Sequence, residues 1–284
     1  MNEYKYKPIT YFGLTFLFTW ANWFISVYFS RTSENEGLYI LFMSLGLLAP
    51  ATIAIIMILA SKNKQIKRDY VNKAVSIKRI KPSTFVAMVL IMPFAVVASI
   101  LISTLFGQPL NQLVLADKFS FSFGTMPTLA VLLLTAFFEE FGWRGYAMDS
   151  LLSRYNLFTA TWIFAIIWSL WHLPLFLIAG SYQYNILQEN IWFGINFIIS
   201  TIPLAFILSW LCARNRGSIL AAILFHFFVN IMQEATNMNQ ISKCIETVVL
   251  AVIAVAVVVR NKELFFNKAT VNQGETSLES VQAN

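Results

Sequence analysis

Eight long apolar runs divide the chain, near residues 9–30, 38–60, 84–106, 127–148, 158–180, 190–212, 218–236 and 243–259. Each can cross the hydrocarbon of a bilayer, which takes about 20 helical residues, allowing for tilt. The runs are continuously apolar and do not alternate every second residue, which separates helices from barrel strands. The pattern predicts an all-α, polytopic membrane protein with about eight transmembrane helices, built as a single domain over residues 1–266. The fourth run is the least regular, because Glu139, Glu140 and Arg144 fall inside it. The first run lacks a short core followed by a small-residue cleavage site, so it is expected to be retained as a helix. Residues 267–284 are polar and are predicted to form a disordered cytoplasmic tail. No internal repeat is evident.

Composition agrees with this reading. Of 284 residues, 58% are hydrophobic and 12% charged, against roughly 45–50% and roughly 25% in a soluble domain. A disordered chain, a nucleic-acid-binding domain and an ordinary cytosolic enzyme are excluded. The net charge of +6 would hint at nucleic acid in a soluble protein. Here it reflects loops facing anionic lipid, and no nucleic-acid partner is expected. Cys212 and Cys244 imply neither a disulfide framework nor a zinc-type cysteine cluster.

Loop charge sets the orientation. Lys5, Lys7, eight Lys or Arg residues within 61–83, Arg154, Arg214, Arg216, Arg260, Lys262 and Lys268 fall on one side; Arg31, Lys118 and Lys243 fall on the other. With Arg144 set aside, the division is 16 to 3. It predicts a multi-pass cell-membrane protein with both termini cytoplasmic. The 61–83 loop reads as a solvated basic loop, with a basic interfacial helix as the sharper alternative.

Polar residues inside the apolar runs carry the candidate chemistry. Both histidines, His172 and His226, lie in predicted spans, as do Glu139, Glu140 and Glu234. A charge at the bilayer centre costs at least about 2.5–3.5 kcal/mol on insertion scales, so such residues usually face a bundle interior and mark a functional path. Glu140 and Arg144 are four apart and share a helix face, so Glu140 reads as paired. Glu139 is turned about 100° away and reads as the free carboxylate, suited to general acid–base work on water. The plainer reading has both glutamates sharing Arg144. His226 and Asn230 also share a face; they are candidate oxyanion donors or interhelical glue. Pro174 follows His172 closely and predicts a kink. Counting from the helix ends puts Glu139, His172 and His226 at depths of about 14, 21 and 12 Å. One intramembrane cavity open to the cytosol could reach all three.

These residues resemble the CPBP intramembrane proteases, the family of CAAX proteases and bacteriocin-processing enzymes also called Abi. Glu139-Glu140-Phe141-Gly142-Trp143-Arg144 matches its EExxxR motif. His172 follows the aromatic Trp168, where the family usually has phenylalanine. His226 and Asn230 match HxxxN. The resemblance covers roughly residues 125–235. It implies an eight-span membrane endopeptidase, related to type II CAAX prenyl proteases, in which Glu139 and His172 activate water while His226 and Asn230 stabilise the oxyanion. Glu140 and Arg144 match the remaining motif positions. The implied partner besides lipid is a membrane-bound protein or peptide: a peptide precursor, a bacteriocin-related peptide or a membrane protein segment. The family often carries a metalloprotease label, so zinc is possible. If His226 serves the oxyanion, however, too few ligands remain for a tight site, and no cofactor is expected. The alternative is a non-catalytic immunity or transport-type membrane protein. A transporter would favour matched repeats, and none is found.

Overall fold

The computed structural model describes residues 5–32, 36–116 and 128–267. The predicted tail from residue 268 lies outside them, as does Lys118. The described residues are helical, with no strand beyond one isolated bridge between Leu115 and Thr236. Six helices are long and apolar enough to cross a membrane. They are α1 (Pro8–Phe29), α2 (Glu36–Ala60), α4 (Pro82–Ser103), α7 (Leu157–Trp171, continued by a 3-10 turn), α9 (Ile191–Arg214) and α11 (Gln240–Arg260). A seventh, α10 (Ile219–Ala235), is apolar but shorter. The fourth predicted run is a composite rod: α5 (Thr128–Gly142), a π turn (Trp143–Ala147) and α6 (Met148–Leu152). Three short helices complete the chain: α3 (Lys64–Val75), α8 (Tyr182–Glu189) and α12 (Lys262–Phe266).

Packing neighbours close into a ring, in the order α1, α2, α5, α10, α4, α11, α9, α7 and back to α1. The outer surface is apolar: Ile9, Leu17, Phe94, Leu105 and Val252 are exposed. The interior instead buries small polar side chains, among them Thr15, Thr19, Ser26, Ser99, Ser169 and Thr201. Lipid is as apolar as leucine, so helix association in a membrane comes from close packing and interhelical hydrogen bonds. Proline shows how the bonds arise. Pro50 inside α2 has no N–H to give the Gly46 carbonyl one turn earlier. Thr19 Oγ1 of α1 donates to that carbonyl at 3.0 Å, and Tyr11 Oη donates to the Pro50 carbonyl at 3.1 Å. Gly142 sits against the Pro50 backbone with no room for a Cβ. That glycine sets how closely α5, and the carboxylates on it, approach α2.

The two ends of the bundle differ. At one end the predicted basic loops are tied together. Lys7 N donates to Tyr146 Oη at 3.1 Å, Lys81 N to Asn215 Oδ1 at 2.9 Å, and Asn156 Nδ2 to the Phe266 carbonyl at 3.3 Å. Arg79 donates to the Arg216 carbonyl. The 61–83 loop does fold as the basic helix α3, which starts at Asn63 with its side chain accepting from Gln65 and Ile66. This helix straps the composite rod. Tyr70 Oη donates to the Phe141 carbonyl at 3.0 Å, just before the π turn, and its ring fills the space beside Gly145. Lys73 Nζ lies 2.9 Å from Asp149 and 2.6 Å from Asp69. Burial alone would depress the Lys73 ammonium, but the two carboxylates beside it carry it above the ordinary lysine value. At the other end, Ala116 N donates to the Ala235 carbonyl at 3.0 Å and Asn239 N to Gln112 Oε1 at 2.9 Å. Tyr182 Oη of α8 bonds Gln240 Oε1 there at 3.2 Å.

Candidate active site

The composite rod presents the two glutamates. Bonding shifts from one α turn to i→i+5 at Trp143, whose carbonyl accepts from Met148 N. Such π bulges occur often at functional sites. Glu140 is fully buried and Arg144 nearly so. Arg144 Nη1 lies 2.9 Å from Glu140 Oε2 and donates to Oε1 at 3.1 Å. Its guanidinium also lies over the Phe164 ring, 4.5 Å from the centroid. The i,i+4 spacing read from the sequence thus corresponds to a contact. Glu140 has a further partner that spacing could not show: His226 Nδ1, 2.8 Å from Oε1. Glutamate, arginine and histidine from two helices form one buried ionic group.

Glu139 points elsewhere, as the 100° rotation implies. Its Oε2 accepts from Trp168 Nε1 at 3.0 Å. In sequence, Trp168 stands only as the aromatic at the family's usual phenylalanine position. The indole N–H, which phenylalanine lacks, makes it the direct partner of the free carboxylate. Trp168 also stands between the histidines, its ring 5.7 Å from His172 and 5.8 Å from His226. Its carbonyl lies 2.7 Å from His172 Nδ1. A carbonyl can only accept, so Nδ1 carries the hydrogen and Nε2 of neutral His172 keeps its lone pair.

His172 caps α7. Pro174 cannot continue the α ladder, and residues Leu173–Leu177 wind as a 3-10 turn. The fifth predicted run is therefore not one α-helix to residue 180; it breaks at His172. Asn230 sits one turn beyond His226 on α10. Its Nδ2 donates to the Leu132 carbonyl at 3.2 Å and to Thr135 Oγ1 at 3.3 Å. Both amide hydrogens are engaged with α5, so here Asn230 is a brace between helices.

Glu139, Trp168, His172, His226 and Asn230 line one cavity of about 400 Å³, enclosed by α2, α5, α7, α9, α10 and α11. Its lining continues to Tyr182, Gln240 and Lys243, at the end opposite the basic loops. Helix depths alone do not tell toward which end this lining continues. The depth count gave distances from helix ends but not which end the helices splay toward. A separate depression of about 570 Å³ lies on the outer face between α1 and α7, with Arg154 as its one charged lining residue. It is remote from the glutamates.

Residues 121–232 match the model of the family described as type II CAAX prenyl endopeptidase Rce1-like. Over 268 residues the chain is 45% identical to CAAX prenyl protease 2 of Methanococcus maripaludis, an alignment covering 94% of this chain and 99% of that protein. The chain belongs to the CAAX protease family. Membership makes this CAAX protease homologue an intramembrane protease and does not favour the immunity or transport alternative. The matched region contains the composite rod, His172, His226 and Asn230.

Zinc would need about three protein ligands and an open position. Among the described residues, no group of three or more His, Cys, Asp or Glu side chains has the spacing to hold an ion. At the candidate site Glu139 Oε2 is bonded to Trp168, His172 Nδ1 to a carbonyl and His226 Nδ1 to Glu140, which leaves Glu139 Oε1 and the two Nε2 atoms as donors. On that spacing the described residues form no zinc site.

Proposed function

We propose that the cavity hydrolyses a peptide bond near the C-terminus of a CAAX-type prenylated polypeptide, with water activated by Glu139 and His172. The observation that carries this reading is Trp168. It binds Glu139 through its indole and His172 through its carbonyl, and holds both toward one cavity. Trp168 occupies Glu139 Oε2, leaving Oε1 to take the proton of water. His172 Nε2 accepts the second hydrogen of that water and orients it. Attack on the scissile carbonyl places negative charge on its oxygen. His226, held at Nδ1 by Glu140, meets that oxygen as the imidazolium with Nε2–H. The proton on Glu139 then passes to the departing amine, so one water yields one acid and one amine. Asn230 serves by bracing His226 against α5, and joins the oxyanion only if its amide leaves Thr135. The substrate class follows from the name of the Methanococcus relative, CAAX prenyl protease 2.

The test uses purified wild type and His172→Ala with a farnesylated CAAX-type peptide. Wild type should release the residues after the prenylated cysteine, and His172→Ala should be at least about 100-fold slower. Equal rates would remove His172 from the mechanism, and no cleavage by wild type would remove the substrate class. Independently of the cavity, the loop charges support a cytoplasmic basic end with both termini on that side. Lys78→Cys, in the exposed turn after α3, should react with an impermeant maleimide only in inside-out vesicles. Labelling in right-side-out vesicles would invert the topology.

A further inference from the structure

The cavity does not end at the histidines. Lys243, which the charge count placed in a loop, lies in the first turn of α11 and lines the cavity wall. Its Nζ donates to Tyr182 Oη at 3.2 Å and lies 4.7 Å above the Tyr182 ring. Tyr182 Oη is in turn bonded to Gln240 Oε1. The ammonium is thus held by a tyrosine that also belongs to the wall. Among the described residues, no carboxylate lies within ion-pair distance of it. Glu246, one turn further along α11, is held instead by Gln233 Nε2 at 2.7 Å. An ammonium has three hydrogens to donate, and Tyr182 takes one.

Lys243 is the only lysine or arginine among the described lining residues; the other charged ones are Glu139, Glu234 and Glu246. Apart from the histidines, Lys243 is therefore the one cationic side chain of this lining that an anion can meet. The separation can be read from the helices. The Gln233–Glu246 bond puts these residues level. Gln233 lies three residues beyond Asn230 and seven beyond His226, and Lys243 is three residues beyond Glu246 toward the same end. At 1.5 Å per residue, Lys243 is about 9–15 Å from the His226–Asn230 level. An extended peptide advances about 3.3 Å per residue, so this distance spans roughly three to four residues.

We propose that Lys243, oriented by Tyr182, is the anchor for a substrate carboxylate lying three to four residues from the scissile bond. The inference rests on the hydrolytic reading above and adds a specificity-determining residue to it. Such a carboxylate comes either from a free C-terminus or from an acidic side chain. Three versions of the farnesylated peptide distinguish them: the free acid, the C-terminal amide, and the amide with aspartate as last residue.

Binding is measured by tryptophan fluorescence on the full-length Glu139→Gln protein, and cleavage on protein with Glu139 intact. The free acid should bind about tenfold more tightly than the amide, as expected for one charge-assisted hydrogen bond. In the Lys243→Met background the acid should fall to the level of the amide, with the amide unchanged. Lys243→Arg should keep most of the preference. Recovery of tight binding by the aspartate amide assigns the anchor to side chains as well as termini. No acid–amide preference in binding, or equal losses for both peptides in Lys243→Met, overturns the proposal. An acid preference in binding with no cleavage by wild type would instead leave the anchor standing and sink the hydrolytic reading.

Discussion

Glu139→Gln should reduce cleavage of the farnesylated peptide by about 10²–10⁴-fold in kcat, the range supplied by a general base. The substitution changes one oxygen into an amide nitrogen. The remaining oxygen can still accept from Trp168 Nε1, so packing around the buried position is preserved. Thermal unfolding in detergent should therefore stay within a degree or two of wild type, roughly the effect of less than 0.5 kcal/mol. The pairing of lost turnover with retained stability is the diagnostic. Full activity in Glu139→Gln would remove it as the base, and a collapse in stability would make it a structural carboxylate.

Arg144→Ala should show the opposite pattern, with a stability loss of about 3–5 kcal/mol, the usual result of removing one partner from a buried ion pair. Glu140 is fully buried, and Arg144 gives it the contacts at 2.9 and 3.1 Å. The arginine also loses its place over Phe164. His226 would remain bonded to Glu140. The double variant Arg144→Ala/Glu140→Gln should recover part of the loss, because the unpaired charge goes with the carboxylate. A single variant as stable as wild type in chemical unfolding would show that the ion pair contributes nothing to the fold. Activity should fall in both variants through displacement of His226.

Much of the architecture can be read from hydropathy because a bilayer imposes one rule on every span. Apolar length and the absence of two-residue alternation were enough for the helical bundle. The EExxxR spacing was enough to divide the glutamates, since helical rotation alone turns Glu139 away from Arg144. What spacing could not supply was contact between helices. His226 on α10 bonds Glu140 on α5 across 86 residues of chain, and Asn230 turns its amide to Leu132 and Thr135. Trp168 looked interchangeable with phenylalanine because a motif records ring shape and not the indole hydrogen. Lys243 looked like a loop charge because α11 begins at Gln240, three residues earlier than the apolar run. Polar residues at a helix start face either water or a cavity, and hydropathy treats the two alike. The break at His172 was announced by Pro174, though its extent as a 3-10 turn was not.

The α3 strap bears on the order in which the protein is assembled during synthesis. Lys73 meets Asp149 across 76 residues, and Arg79 meets Arg216 across 137. At a translation rate of about 5–20 residues per second, α3 waits roughly 4–15 s for the first partner and 7–27 s for the second. Until then it has α2 to pack on, with Lys73 facing Asp69 alone. Glu140 waits similarly for His226. The contact between Glu140 and His226 is therefore completed by one of the last spans to leave the ribosome.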